Sequence, residues 1–184
     1  MNYDLFRTIN DWSRGHTILD DLMKFAAKDL LFLVFAAFAL LCGARLQVKD
    51  YRPVGLAFGT VIVTFAAAQI AAKLHTEARP FVTHPSAHEL ISHSADQSFP
   101  SDHATAAFGI AVAVLLFLSR VWGGALFVVG LLIGFARVFV GVHYPGDIAG
   151  GLAVAVIGGG VMAAVAYFLP REPVAVAKPV AGRR

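Results

Sequence analysis

Polar residues that could do chemistry together stand beside the ends of strongly apolar stretches. They fall in residues 73–80, 100–103 and 137–147 and include two arginines, two histidines, a serine and an aspartate. An Arg or Asp at the centre of a membrane helix costs about 2.5 to 3.5 kcal/mol, so an ionisable residue at that depth marks a functional site by default. The three segments are therefore the candidate site.

His143 and Asp147 have the spacing of a nucleophile and its partner. An interval of four residues lets the carboxylate accept the imidazole N–H, which fixes the tautomer and leaves the other ring nitrogen free to attack. Pro145 predicts an extended step and then a helix start, with Asp147 in the first turn. Arg79 and Arg137 add planar, permanent charges that can hold phosphoryl oxygens. This set of residues is suited to attack on phosphorus.

Ser101 and His103 stand where a loop ends and an apolar helix begins. Ser101 is a predicted N-cap, and the free amides of a first helical turn favour an anion. His103 can give or take a proton near neutral pH. Taken singly, Ser101 could be a simple capping serine and His103 an interfacial histidine. Each arginine could be an interfacial residue whose side chain reaches from the bilayer to water. The three segments together favour the functional interpretation.

The composition indicates that lipid is the solvent of this chain. Hydrophobic residues make up 58% of the 184 and charged residues 15%, with a mean hydropathy of +0.69, whereas soluble domains have about 25% charged residues. Long apolar runs in lipid must be helices. The sequence predicts an all-α integral membrane bundle, a single domain over residues 1–184, with five transmembrane helices at about 22–43, 54–74, 104–118, 122–142 and 148–169.

Two polar segments outside these spans have predicted roles. Within the N-terminal interfacial segment 1–20, residues 1–12 have apolar side chains at helical spacing and are predicted to form an interfacial helix, with a short polar cap on the first span as the alternative. Residues 75–100 form the longest loop, which is predicted to be an outer active-site loop. Its histidines, His84, His88 and His93, are expected to be solvated rather than to bind a metal. No metal and no other cofactor is expected.

The distribution of Lys and Arg predicts the orientation. Eight of the fifteen basic residues lie on one side of the predicted spans: Arg45, Lys49, Arg52, Arg120, Arg171, Lys178, Arg183 and Arg184. Three of the other seven belong to the candidate site. The positive-inside rule then places the side with these eight basic residues, including the tail 171–184, in the cytoplasm, and it places the site outside. Because the basic residues form no single patch, no nucleic-acid partner is expected.

The three segments resemble the motifs of the type 2 phosphatidic acid phosphatase family. Those motifs are a Lys followed after six residues by Arg-Pro, then Pro-Ser-Gly-His, then Ser-Arg with five residues before a His and three more before an Asp. The corresponding residues here are Lys73 with Arg79-Pro80, Pro100-Ser101-Asp102-His103, and Ala136-Arg137 with His143 and Asp147. The resemblance covers roughly residues 54–169 and implies a membrane phosphatase.

Within that family the chain is similar to the undecaprenyl-diphosphatases that confer bacitracin resistance. The similarity lies in the opening Met-Asn-Tyr-Asp-Leu-Phe, in Glu77, in residues 79–82 and 98–103, and in the His143-Tyr144-Pro145 step. It implies a polyprenyl diphosphate substrate, cleaved to the monophosphate on the outer face of the bacterial cytoplasmic membrane. Such an enzyme recycles the lipid carrier of cell-wall synthesis.

The resemblance also implies a mechanism in two displacements without a divalent metal. His143, held by Asp147, attacks the terminal phosphorus, and His103 protonates the leaving phosphate. The phosphoryl oxygens are held by Arg79, Arg137, Ser101 and the helix amides near residue 103. A phosphohistidine results, and water then hydrolyses it.

Some positions depart from the family pattern. Five residues separate Lys73 from Arg79, where the family has six. Lys73 is still included among the expected phosphate-binding residues. Asp102 replaces a Gly and is expected to orient an Arg or His, or to handle the second phosphate. Ala136 replaces a Ser and removes one hydrogen bond. Glu77 is expected to position water or the outer phosphate, with an ordinary surface carboxylate as the alternative.

Two other functions stay open at this point. The same chemistry could act on phosphatidate or phosphatidylglycerol phosphate. Alternatively, the chain could be a non-enzymatic lipid-phosphate-binding or transport protein, in which the arginines and histidines only bind phosphate. A transporter is expected to have inverted repeats or paired broken helices, and the sequence has no such repeat.

Overall fold

The computed structural model describes residues 2–13 and 17–170, which are mainly helical apart from the long loop over residues 84–101. The helices, in chain order, are α1 (Asn2–Asn10), α2 (Thr17–Lys28), α3 (Leu30–Gln47), α4 (Tyr51–Leu74), α5 (Pro80–Thr83), α6 (Asp102–Ala113), α7 (Arg120–Phe139) and α8 (Pro145–Phe168), with a 3-10 turn at Asp11–Ser13 and a π-helical turn at Val114–Leu118. The described part of the chain contains no β-strand, only an isolated antiparallel bridge between Ala78 and Gln97. The predicted all-α fold is confirmed.

Four helices in the described ranges, α3, α4, α7 and α8, are long and apolar enough to cross a membrane. The helix at the predicted third span, α6 with the π-helical turn, covers Asp102–Leu118 and is shorter than these four. Nearly every residue of α6 is buried, because α4, α7 and α8 all pack against it. The chain is therefore a multi-pass membrane bundle with α6 at its centre.

The predicted first span divides into two helices. Leu22, the expected start, lies inside α2, and α3 begins at Leu30. The two helices bury different surfaces: α2 places Ala26 and Ala27 against Phe139 near the end of α7, whereas α3 packs along α4 and α6. One straight helix could not make both contacts, so the chain turns at Asp29. The predicted start of this span is wrong.

Small residues bring the central helices close together. A Cβ at Gly158 of α8 would fall 2.3 Å from the Thr64 hydroxyl oxygen on α4, and a Cβ at Gly151 would fall 2.9 Å from the backbone nitrogen of Thr105 on α6. Small residues at helix contacts allow such close approach in membranes. As a result, the end of α4 and the beginnings of α6 and α8 meet at one end of the bundle.

The helix predicted within the first twelve residues forms as α1 and packs against that same end. Phe6 is buried in a cluster with Val138 and Tyr144. Asn10 is buried as well, and its side chain hydrogen-bonds the backbone of His88 and the Phe139 carbonyl. Helix α1 therefore ties the 75–100 loop to α7. The predicted tail, residues 171–184, lies outside the described residues.

Candidate active site

The loop between α7 and α8 carries His143 into the protein interior. Gly141 has a φ of +87°, and a Cβ there would fall 2.1 Å from the His88 carbonyl oxygen, so the turn requires glycine. Tyr144 is extended, and α8 begins at Pro145 with Asp147 in its first turn, as the sequence predicts. His143 is 2% exposed and Asp147 0%. His143 Nδ1 lies 3.2 Å from Asp147 Oδ2.

Two buried guanidiniums face the other nitrogen of the same ring. Arg79 Nη1 lies 3.1 Å from His143 Nε2 and Arg137 Nη2 lies 3.4 Å from it. Guanidinium groups only donate, so Nε2 must accept and the ring proton must sit on Nδ1, facing the carboxylate. The unprotonated Nε2 is therefore the atom that is available for nucleophilic attack.

Backbone carbonyls hold both arginines in place. Arg79 Nη1 also donates to the Val142 carbonyl at 2.9 Å, and Arg137 Nη1 donates to the Ala27 carbonyl at 3.3 Å. The two arginines are 3% and 2% exposed, respectively. Their side chains therefore have little freedom, and a phosphoryl group would meet donors that are already oriented.

Several polar atoms around this ring are buried without a hydrogen-bond partner among the described residues. They include Arg137 Nε, the Ser101 hydroxyl oxygen and Asp147 Oδ1. A buried polar group without a partner costs about 1 to 3 kcal/mol. Arg137 Nε and the Ser101 hydroxyl can both donate to an anion. The site thus has spare donors for the oxygens of a phosphate.

The surroundings of His143 favour the neutral ring. Burial, together with the charges of Arg137 and Arg79, lowers the pKa of His143 to about 4, against the opposing effect of Asp147. A neutral imidazole is the nucleophilic form. The His143 ring is therefore neutral across the neutral pH range, with its proton on Nδ1 and none on Nε2.

The segment at the start of α6 lies beside this ring. Ser101 occupies the N-cap position, but its hydroxyl makes no capping hydrogen bond, so the capping interpretation of that hydroxyl is wrong. Its backbone N–H instead donates to the Asp147 carbonyl at 3.2 Å. His103 is half-buried, and Arg137 and His143 lie close enough to interact with it electrostatically.

The remaining predicted site residues lie farther out. Asp102 is exposed and interacts electrostatically with Arg137. Glu77 is half-buried and pairs with His75 at 3.6 Å; burial and the nearby Asp147 raise the pKa of Glu77. Lys73 is exposed in the last turn of α4 and has no hydrogen bond or ion pair to another described residue. The structure therefore does not bring Lys73 together with the site.

Sequence reasoning missed two polar residues of the 75–100 loop. The Ser98 hydroxyl donates to Asp147 Oδ2 at 2.5 Å. Asp96 accepts from Arg79 Nε at 2.7 Å, and the Ser94 hydroxyl and Arg79 lower the pKa of this carboxyl. The only sequence signal was the position of these residues directly before the 100–103 segment.

The loop histidines are half-buried, not fully solvated as the sequence predicts. His84 stacks on Tyr3, with ring centroids 3.7 Å apart, and the ring of His93 lies 6.3 Å from that of His143. His88 is bound through its backbone to Asn10. Within residues 2–13 and 17–170, no three His, Cys, Asp or Glu side chains are grouped so that they could hold a metal ion.

The fold and this site together define a helical membrane protein with a buried His-Asp pair, whose free imidazole nitrogen faces two guanidiniums. The chain belongs to the PAP2 superfamily, whose model matches residues 53–171. It is 38% identical to the undecaprenyl-diphosphatase BcrC of Bacillus subtilis (strain 168) over 157 residues, 85% of this chain and 80% of that protein. The resemblance seen in the motifs is confirmed.

Two further comparisons agree with this assignment. The putative undecaprenyl-diphosphatase YbjG of Escherichia coli (strain K12) is 33% identical over 159 residues, which are 86% of this chain and 79% of that protein. The crystal structure of Aquifex aeolicus LpxE has a similar fold, with a TM-score of 0.70 and 24% identity, covering 89% of this chain and 94% of that one. The relatives thus match the chain over most of their length.

Proposed function

We propose that this protein hydrolyses undecaprenyl diphosphate to undecaprenyl phosphate and inorganic phosphate. The observation that carries the proposal is the unprotonated Nε2 of His143, which faces two buried guanidiniums while Nδ1 faces Asp147. The names of the relatives in Bacillus subtilis and Escherichia coli support the diphosphate as the substrate.

In the first displacement, His143 Nε2 forms a bond to the terminal phosphorus and the bond from phosphorus to the bridging oxygen breaks. The donors of Arg79 and Arg137 that face Nε2 then bind the phosphoryl oxygens, and the Ser101 hydroxyl gives one more donor. His103 gives its proton to the bridging oxygen, so undecaprenyl phosphate leaves. The product on the enzyme is a phosphohistidine.

In the second displacement, a water oxygen attacks the phosphorus and the bond to Nε2 breaks. His103 accepts the proton of that water, which reverses its first role. Asp147 stabilises the cationic ring of the phosphohistidine through Nδ1–H. The two guanidiniums supply the positive charge that metal ions supply in many phosphoryl-transfer enzymes, so the proposed mechanism contains no metal step.

An apolar groove beside the site supports a lipid substrate. It measures about 280 Å³ and lies between the outer halves of α7 and α8. Its lining includes Val138, which follows Arg137 in the chain, and Pro145, which follows the His143-Tyr144 pair; Phe135, Ala149 and Leu152 continue it along the helices. The first isoprene units of the substrate would lie here while the diphosphate meets the arginines.

The proposed enzyme lies in the bacterial cytoplasmic membrane with its site outward, where it recycles the cell-wall lipid carrier. The distribution of basic residues supports this orientation. In a Cys42→Ser background, Ala95→Cys and Lys49→Cys place one exposed thiol at each end of the bundle. A membrane-impermeant maleimide added to intact cells should label Ala95→Cys only. Labelling of Lys49→Cys alone would show that the protein has the opposite orientation.

Phosphate release tests the activity itself. Purified protein in detergent with EDTA would be given undecaprenyl diphosphate, phosphatidate and phosphatidylglycerol phosphate, with His143→Ala as the control. We expect preferential release from the diphosphate, which the substitution abolishes. Preference for either glycerolipid would assign the same chemistry to another substrate, and no release with lipid binding intact would leave a phosphate-binding membrane protein. Dependence on a divalent ion would contradict the metal-free mechanism.

A further inference from the structure

One buried hydroxyl at the centre of the site has no part in the mechanism above. Ser98 is 0% exposed. Its hydroxyl donates to Asp147 Oδ2 at 2.5 Å and lies 3.3 Å from His143 Nδ1. Ser98 therefore contacts both atoms of the hydrogen bond that holds the nucleophile.

We propose that Ser98 is a positioning residue, which fixes the carboxylate of Asp147 so that Oδ2 stays directed at His143 Nδ1. This inference rests on the proposed function, because it assigns Ser98 a role in that same site. Ser98 lies on the Nδ1 side of the ring, whereas the two arginines face Nε2. It therefore acts through Asp147 and not by contact with the phosphate.

The two oxygens of Asp147 are in very different surroundings. Oδ2 accepts from the Ser98 hydroxyl, from His143 Nδ1 at 3.2 Å and from the Tyr144 backbone N–H at 2.8 Å. Oδ1 is buried and has no partner among the described residues. Partial rotation about the bond from Cβ to Cγ would move Oδ2 away from all three donors at once. The hydrogen bond from the Ser98 hydroxyl is the shortest of the three.

The backbone of Ser98 is held just as firmly. Its N–H donates to the Glu77 carbonyl at 2.8 Å, next to the bridge between Ala78 and Gln97. The Gln97 side chain donates to the carbonyls of Ala72, His75 and Phe99. Arg79 directly follows this bridge. One pairing of two chain segments thus places Ser98 on the Nδ1 side of the ring and Arg79 on the Nε2 side.

The chemical need for this restraint arises when His143 carries the phosphoryl group. The ring is then cationic, and its Nδ1–H must be directed at a carboxylate oxygen for the charge to be stabilised. A carboxylate that could turn away would lose part of this stabilisation in the transition states that lead to and from the phosphohistidine. Loss of the Ser98 hydroxyl should therefore lower kcat and leave KM nearly unchanged.

The first test compares Ser98→Ala with Thr60→Ala. Thr60 is an equally buried hydroxyl on α4, which donates to the Leu56 carbonyl at 2.9 Å. We expect Ser98→Ala to lower kcat for undecaprenyl diphosphate about 10- to 100-fold, the effect of losing one hydrogen bond to a charged group. KM should stay within about twofold, and Thr60→Ala should change neither constant by more than that.

The second test reads the nucleophile directly by 15N NMR of histidine-labelled protein. The groups that face His143 are Asp147 at Nδ1, Arg79 and Arg137 at Nε2, with His103 and His93 nearby. Ser98→Ala leaves all of them in place. Without the hydroxyl, Oδ2 is no longer held toward Nδ1 and stabilises the imidazolium less, so the pKa of His143 should fall. Thr60→Ala should leave that pKa unchanged.

A purely structural role would lower the melting temperature of Ser98→Ala without changing kcat per folded molecule or the pKa of His143. That result would overturn the proposal, as would an increase in KM with unchanged kcat. If the wild-type protein releases no phosphate from any of the three lipids, the proposed function fails. The NMR titration needs no substrate and still decides whether Ser98 controls the nucleophile.

Discussion

Arginines stand at both ends of the bundle and donate to backbone carbonyls at both. At the end away from the site, Arg45 donates to the Leu118 carbonyl at 2.5 Å and Arg52 to the Ala166 carbonyl at 2.9 Å. At the site end, Arg79 donates to the Val142 carbonyl and Arg137 to the Ala27 carbonyl. The residue type and the backbone interaction are the same, so neither distinguishes a functional arginine.

The difference lies in burial and in the donors that remain. The Arg45 side chain is 42% exposed and pairs with Asp50. Arg79 and Arg137 are buried, and each directs one further donor at the same imidazole nitrogen. A guanidinium in a dry site interacts more strongly with a developing charge than one in water does. The site-end arginines are thus arranged for an anion, and the others only stabilise helix ends.

The largest expected effect is at His143. His143→Gln removes the nucleophile and should lower phosphate release by at least about 10³-fold. Arg52→Gln, at the opposite end, should stay within about twofold of the wild-type rate. Both rates would be measured at saturating undecaprenyl diphosphate. If His143→Gln kept more than about a tenth of the activity, another group would have to be the nucleophile.

Conservative changes of the arginines should separate the two ends. Arg79→Lys and Arg137→Lys keep the charge but lose the planar pair of donors, so we expect about a 10²-fold loss of kcat/KM for each. Arg45→Lys and Arg52→Lys should lose less than about twofold. Steady-state kinetics on all four variants makes the comparison. Equal losses at both ends would show that the effect comes from the stability of the fold.

The charge of the two buried guanidiniums should also be visible in a titration. His143 should titrate at a pKa of about 4 by 15N NMR, below its ordinary value of 6.5. Arg79→Gln removes a cation that disfavours the imidazolium, so the pKa should rise. Arg52→Gln should leave it unchanged. A wild-type midpoint near 6.5 would mean that the ring is hydrated and that this comparison of the two ends is wrong.

Filling an apolar groove should have a smaller effect, on KM, and one such groove lies near each end of the bundle. Ala149→Trp fills the groove beside the site, whereas Ala164→Trp enters a cavity of about 470 Å³ near the far end of α8. We expect Ala149→Trp to raise KM for undecaprenyl diphosphate about fivefold and to spare a diphosphate with one isoprene unit. Ala164→Trp should do neither. Equal KM values in the two variants would remove the groove from the substrate path.

The smallest effect concerns stability. Arg45→Ala breaks the pair with Asp50 at 3.3 Å and the hydrogen bond to Leu118. Because Arg45 is partly exposed, the loss of unfolding free energy should be about 1 kcal/mol. Thermal unfolding in detergent would measure it, alongside activity per folded molecule. A loss of activity without a change in melting temperature would connect this end of the bundle to the chemistry.

Much of the candidate site could be predicted because its residues stand at helix ends. A helix start at Pro145 places Asp147 in the first turn, one helical turn from His143, and this geometry is local. The helices themselves follow from the long apolar runs. Lipid offers the backbone no hydrogen bonds, so each run must satisfy its own N–H and C=O groups by forming a helix. The bend at Asp29 escaped prediction because it depends on the surfaces that α2 and α3 bury.

Ser98 and Asp96 were missed for a different reason. Ser98 and Asp147 are 49 residues apart in the chain, and nothing in the local sequence indicates their contact. Lys73 is the converse case, a residue chosen for its type and place in a motif that the fold leaves exposed. A motif indicates which residues lie near one another along the chain, not which side chains meet.

The amino-acid sequence alone predicts a helical membrane bundle, and it indicates the proposed nucleophile His143, its partner Asp147 and the two arginines. These properties follow from hydropathy, helix starts and residue type, which act over a few residues. The sequence does not show that Arg79 and Arg137 meet at one nitrogen of His143, or that Ser98 lies at the other. These contacts join segments as far as 64 residues apart, and they form because the packing of α4, α6, α7 and α8 brings those segments to one end of the bundle.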